Sequence, residues 1–159
     1  MSFFFCLDNV LIDRGNAMST PVTTLGKEGV IKDPNLKCDY LMCCFFFTKY
    51  SQTILYRDQL TSLPKLIQQY GDDPLRIRDA LETSLNAFLS KFFTTTSVLV
   101  TLEDTGDNPG IKLQIEAIVS DEAALTPGSI SVGYSLLTKD SKLKSIIRQL
   151  DGGEIYASP

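Results

Sequence analysis

Few residues in this chain have the types and spacing that chemistry needs. The candidates are the paired carboxylates Asp72 and Asp73, the oxygen-bearing run Asp104, Asp107 and Asn108, and the thiols Cys6, Cys38, Cys43 and Cys44. Each has a plainer reading. Asp72 and Asp73 stand between Gly71 and Pro74, where a carboxylate caps the free amides of a helix and proline takes its first position. Asp104, Asp107 and Asn108 fall in a stretch with turn composition that closes on Pro109-Gly110. The series of oxygen ligands ending in a glutamate, which an EF-hand calcium loop requires, is missing there. The cysteines form no C-x-x-C, so zinc-knuckle and thioredoxin spacings are both absent. Cys38, Cys43 and Cys44 lie in one apolar segment and are expected to be free, buried thiols that pack as small hydrophobes. A disulfide framework is not expected in a chain with this much core.

Histidine is missing altogether. That removes Ser-His-Asp and Cys-His catalysis, imidazole ligation and histidine pH switching. The nucleotide-binding glycine loops and the Gly-x-Ser-x-Gly elbow are also missing. The expectation is a non-enzymatic protein with no catalytic residues, no cofactor and no metal. The net charge is −4, from 15 basic and 19 acidic residues. That balance lacks the basic footprint of a nucleic-acid binder, so direct nucleic-acid contact is not expected. No run approaches the ~20 apolar residues of a membrane span. The apolar start Phe3–Leu7 lacks the basic flank and length of a signal peptide. The protein is therefore expected to be made in the cytoplasm. Met18-Ser19-Thr20-Pro21 reads as a possible start of translation, which would make residues 1–17 an upstream extension.

A chain of 159 residues suits one domain. It is long enough to bury ~70% of its unfolded surface without staples. The expected organisation is an irregular N-terminal arm over 1–32, a single α+β domain over 33–151 and a tail over 152–159. Asp33-Pro34 opens a helix running to about Tyr50, with Leu36, Tyr40, Cys43, Cys44 and Phe47 at helical spacing. Its run Tyr40–Phe47 is apolar on all sides, and a helix apolar all round must be buried all round. Part of it, with Phe46 on the outward side, is therefore expected to meet another subunit. Residues 51–61 form a polar connection. A short helix with Leu63, Leu66, Ile67 and Tyr70 follows, ending at Gly71. The long amphipathic helix from Pro74 to Phe93 places Ile77, Leu81, Leu85, Phe88 and Phe92 on one stripe. The period then changes to two through Val98–Glu103, Ile111–Ala117 and Ile130–Leu136, which reads as a three-stranded antiparallel β-meander with one wet face. The long helix is expected to pack on Val100, Leu113, Ile115, Val132 and Tyr134. With Asp140 or Ser141 as a cap, Leu143, Ile146, Ile147 and Leu150 predict a short C-terminal helix closed by Gly152-Gly153.

Charge differs by segment. Residues 96–138 carry a balance of −5 and residues 139–159 a balance of +1. An acidic sheet followed by a basic-faced helix suits charge-complementary packing between subunits. The expected interface residues are Tyr40, Leu41, Phe45 and Phe46 on the first helix and Lys142, Lys144 and Arg148 on the last.

The second half has a characteristic shape. Ala80-Leu81-Glu82, Leu85, Phe88-Leu89 and Phe92-Phe93 form a helix that ends in an aromatic pair. The strand Val98–Glu103, two further strands and a short apolar helix ending at Leu150 follow. Over residues 72–151 this resembles the sheath-initiator and wedge proteins of contractile phage baseplates. Leu63-Pro64-Lys65-Leu66-Ile67-Gln68-Gln69-Tyr70 has the same virion-protein character. The resemblance implies a non-enzymatic structural subunit of a phage tail or baseplate, localised in the virion. Its partners would be other virion proteins (tube, sheath or wedge subunits) in a ring or hetero-oligomer. A head–tail neck or tail-end subunit is the alternative location. A small enzyme or ligand-binding protein using Asp, Cys or Tyr residues is the alternative of another class.

Overall fold

The computed structural model describes residues 31, 33–48, 61–103, 110–120 and 128–149, and the backbone of 154–157. The expected N-terminal arm apart from Ile31, most of the connection 51–61, the turn bearing Asp104, Asp107 and Asn108, Cys6, Leu150 and Gly152-Gly153 lie outside them. Helix α1 spans Pro34–Phe47, α2 spans Leu63–Tyr70 and α3 spans Pro74–Leu89. Proline in the first turn marks each start, and an aspartate caps α1 and α3, whereas Ser62 before α2 makes no side-chain capping bond. Asp33 Oδ1 accepts from Asn35 N at 2.9 Å, and Asp73 Oδ1 accepts from Leu75 N and Arg76 N at 3.1 Å. Helix α3 is one turn shorter than its apolar stripe suggests. It stops at Leu89, and Phe93 N donates to Leu89 O at 3.1 Å, which tucks Phe92 and Phe93 back into the core.

The strands are β1 (Thr95–Glu103), β2 (Ile111–Ser120), β3 (Ser129–Lys139), β4 (Lys142–Arg148) and β5 (Glu154–Ala157). They form one sheet in the order β1-β2-β3-β4-β5, each antiparallel to the next. The fold is α+β, but the expected three-stranded meander closed by a short C-terminal helix is overturned. Residues 142–148 are a strand, and a fifth follows. Two physical causes account for the difference. Asp140 and Ser141 both have φ of 53°, the left-handed backbone of a two-residue hairpin turn; they do not cap a helix. One residue later the register skips. Leu137 pairs with Ser145 and Thr138 with Leu143, which leaves Lys144 as the extra residue of a β-bulge. The bulge brings Leu143 and Ile146, three residues apart, to the same face of the strand. Spacing of three is what an amphipathic helix would show.

Side chains of the sheet sort cleanly by face. Val98, Val100, Leu113, Ile115, Ala117, Val119, Val132, Tyr134, Leu136 and Ile146 point inward and are buried in one core with Leu81, Leu85 and Phe92, and the half-buried Phe88 packs against it. Helix α1 lies on β3, where the Phe46 and Tyr134 rings meet edge-on at 5.2 Å between centroids. Phe45 reaches Phe88 of α3 at 5.5 Å. The three helices thus share the inner face. No helix among the described residues is long and apolar enough to cross a membrane.

Candidate functional site

The first candidate is a polar cluster under α1. Asp39 accepts a hydrogen bond from the Tyr134 hydroxyl at 2.8 Å on Oδ1 and pairs with Arg148 Nη2 at 2.7 Å through Oδ2. The register places Tyr134 opposite Arg148, so one carboxylate on α1 clasps two neighbouring strands. Burial and the adjacent Asp39 charge push the Cys38 thiol up to about 12, and Arg148 and Lys37 offset only part of this. Burial, followed by Asp39, also raises Cys43. Tyr134 is raised by burial, then by its bond to Asp39. The thiols therefore stay protonated near neutral pH and are poor nucleophiles. The cluster is built to fasten α1 to the sheet. The free cysteines among the described residues are Cys38 and Cys43. Cys44 is disulfide-bonded, which corrects the expectation that it is a free thiol.

Lys37 is buried on the same helix. Its Nζ donates to Phe92 O at 2.7 Å and stands 4.8 Å from the centre of the Phe93 ring. It holds the turn after α3. Of the paired carboxylates, Asp73 caps α3, whereas Asp72 accepts from the Ser141 hydroxyl at 2.6 Å. Asp72 therefore anchors the β3–β4 hairpin, and the reading of both as helix caps fails for it. Among the described residues, no three metal-binding side chains come together.

The expected interface residues separate into three groups. Leu41, Phe45 and Phe46 are buried within their own chain at 3%, 2% and 0% exposure. Tyr40 and Phe47 are half-buried against the same core. Phe46 is therefore not on an outward side, and Leu41, Phe45 and Phe46 do not face another subunit: the sheet and α2 cover part of α1, and Phe88 and Phe92 at the end of α3 reach it as well. Arg148 points inward to Asp39 and does not belong to a basic helix face. Lys142 and Lys144 lie on β4, Lys142 exposed and Lys144 half-buried.

The second candidate is the outer face of the sheet, which none of the described helices covers. Leu99 on β1, Ile118 on β2 and Ile147 on β4 are 54%, 44% and 37% exposed there. Around them stand Ser97, Thr101, Gln114, Ser131 and Ser135, with Glu116 beside Ser131. At the end bearing the β3–β4 hairpin, Glu103 pairs with Lys112 at 2.5 Å, and Lys139 and Lys142 follow on the next strands. The β1 edge is partly closed, because Glu82 Oε2 of α3 accepts from Val100 N at 3.0 Å. A capped edge is a poor template for strand addition. Period-two alternation with Val98 and Val100 puts Leu99 on this face, whereas Ile147 joins it only because residues 142–148 form a strand. Exposed apolar residues on an uncovered face can bury surface against another protein. No family model matches the chain, and neither a curated protein nor a solved structure is found to match it.

Proposed function

We propose that the protein is a non-catalytic assembly subunit of a multi-protein particle, and that it docks on its neighbour through the outer face of the sheet. The carrying observation is the asymmetry of the sheet. One face is sealed by three helices, while the other presents Leu99, Ile118 and Ile147 among short polar side chains. The polar cluster with raised thiols serves stability, as its geometry fastens elements of one chain to each other.

We further propose a contractile phage tail or baseplate as the particle. Its support is the long helix followed, one turn past its end, by the aromatic pair Phe92-Phe93 and then by antiparallel strands. The short apolar helix that also carried the resemblance is strand β4 and adds nothing to it. Mass spectrometry of purified, salt-washed particles tests the reading. Peptides of this chain in fixed ratio to tail tube and sheath proteins support it. Their absence from intact particles, or turnover of a small-molecule substrate by the purified chain, contradicts it.

A further inference from the structure

We propose that the N-terminal segment Phe3–Leu7 seats on helix α1, over the half-buried stripe Tyr40, Cys43 and Phe47, and is fastened there by a disulfide between Cys6 and Cys44. This goes beyond the reading of the outer sheet face and does not depend on it. The bond is assigned by elimination. The sequence has four cysteines. Cys44 is disulfide-bonded, whereas Cys38 and Cys43 are free. The structure is of a single chain, so Cys6 is the partner that remains.

The surroundings of Cys44 agree. It is 5% exposed, yet it does not belong to the cluster of core side chains that buries Leu41, Met42, Phe45 and Phe46. Its cover therefore comes from elsewhere in the chain. The Cα atoms of a disulfide stand about 4.4–6.8 Å apart, which brings Phe5 and Leu7, on either side of Cys6, to the turns of α1 around Cys44. Positions three and four away from Cys44 on the helix are Tyr40, Leu41, Phe47 and Thr48. Leu41 is in the core, while Tyr40 and Phe47 are half-buried. An apolar segment finds apolar partners there. The intervening chain is long enough: residues 7–32 can reach up to ~85 Å, against ~15 Å of helix rise from Pro34 to Cys44.

The bond forms when each thiol loses its hydrogen and the two sulfurs join. The two electrons and two protons go to a disulfide oxidant such as glutathione disulfide, which leaves as two thiols. In a reducing compartment the segment is unlatched, and in an oxidising one it is fixed. The bond also makes residues 1–17 part of the folded protein, against their reading as an upstream extension.

Non-reducing peptide mapping of the full chain, equilibrated with glutathione disulfide, tests the bond. The expected result is tryptic peptide 1–14 joined to peptide 38–49, with fragmentation placing the link at Cys44 and with Cys38 and Cys43 titrating as free thiols after denaturation. A protein in which all the cysteines titrate, a link through Cys38 or Cys43, or a bond between two copies overturns the proposal. The alkylation rate of Cys43 by iodoacetamide tests the seating. The double variant Cys6→Ser, Cys44→Ser keeps the same free thiols, and its Cys43 should react several-fold faster than in the oxidised protein. Phe4→Asp, which leaves every cysteine in place, should speed the reaction in the same direction. Equal rates in all three proteins would show that the segment is tethered without covering the stripe, and would overturn the seating.

Discussion

On the inner side of β1–β4, alternate residues are apolar, buried and covered by three helices; on the outer side of the same strands they are mostly serine, threonine and charged residues, with Leu99, Ile118 and Ile147 left exposed. The backbone is common to both sides, so the difference lies wholly in the side chains and in what covers them. The inner side explains why the chain folds. It holds the aromatic contacts of α1, α3 and β3 and the Asp39 clasp. The outer side contributes little to that core, which leaves its residues free to serve a partner. A sheet sealed on one side and open on the other divides stability from recognition.

Phe46→Asp should break this division most severely. Phe46 is 0% exposed and meets Tyr134 and Phe45 edge-on. An unpaired carboxylate there costs more than ~4 kcal/mol, a large share of the ~5–15 kcal/mol that holds a domain together. The expected outcome is loss of the cooperative near-UV unfolding transition. A folded, soluble variant would mean that α1 is not part of the core.

Alkaline titration sharpens the account of the clasp. The fold raises Cys38 from an ordinary 9.0 to about 12 and raises Tyr134 as well. A thiol held protonated by the fold contributes its full stability below about pH 9, where the unfolded chain is protonated too. That contribution is lost as pH climbs toward about 12. Urea midpoints should fall steadily over that window, and Cys38→Ala should flatten the part due to the thiol. An unchanged slope in Cys38→Ala would show that the thiol is not held in a desolvated site.

Asp39→Ala should have a smaller effect. It removes one acceptor from Tyr134 and one partner from Arg148, with the Asp39 and Arg148 side chains 22% and 27% exposed. Loss of such partly buried contacts costs about 1–3 kcal/mol. Denaturant melts would register it, and restoration by Asp39→Asn would indicate that the hydroxyl bond matters more than the ion pair.

What could be read from the sequence follows from how local each signal is. Helix α3 was legible because cap, proline and stripe lie in one run, Asp73 through Leu89. Strands β1–β3 were legible because their alternation is unbroken. Strand β4 was not, since the extra residue Lys144 converts a period of two into a spacing of three, and Asp140-Ser141 resembles a cap. The apolar run in α1 announced the burial of Leu41, Met42, Phe45 and Phe46, but not of all sides, since Tyr40, Cys43 and Phe47 form a half-buried stripe that continues to the exposed Leu36. Its coverage by the sheet and two other helices depends on contacts far apart in the chain, such as Asp39 with Tyr134, and no local pattern reveals them. The clasp itself was invisible for the same reason.

The double variant Leu99→Lys, Ile118→Lys tests the separation of stability from recognition most directly. Both residues are exposed on the outer face and far from the core, and surface changes of this kind shift stability by about 0.5 kcal/mol or less. Thermal unfolding of the purified variant and its association with salt-washed particles should be measured together. The account predicts a melting curve that overlays the unmodified protein together with loss of the chain from the particles. A marked drop in melting temperature, or undiminished association, would contradict it.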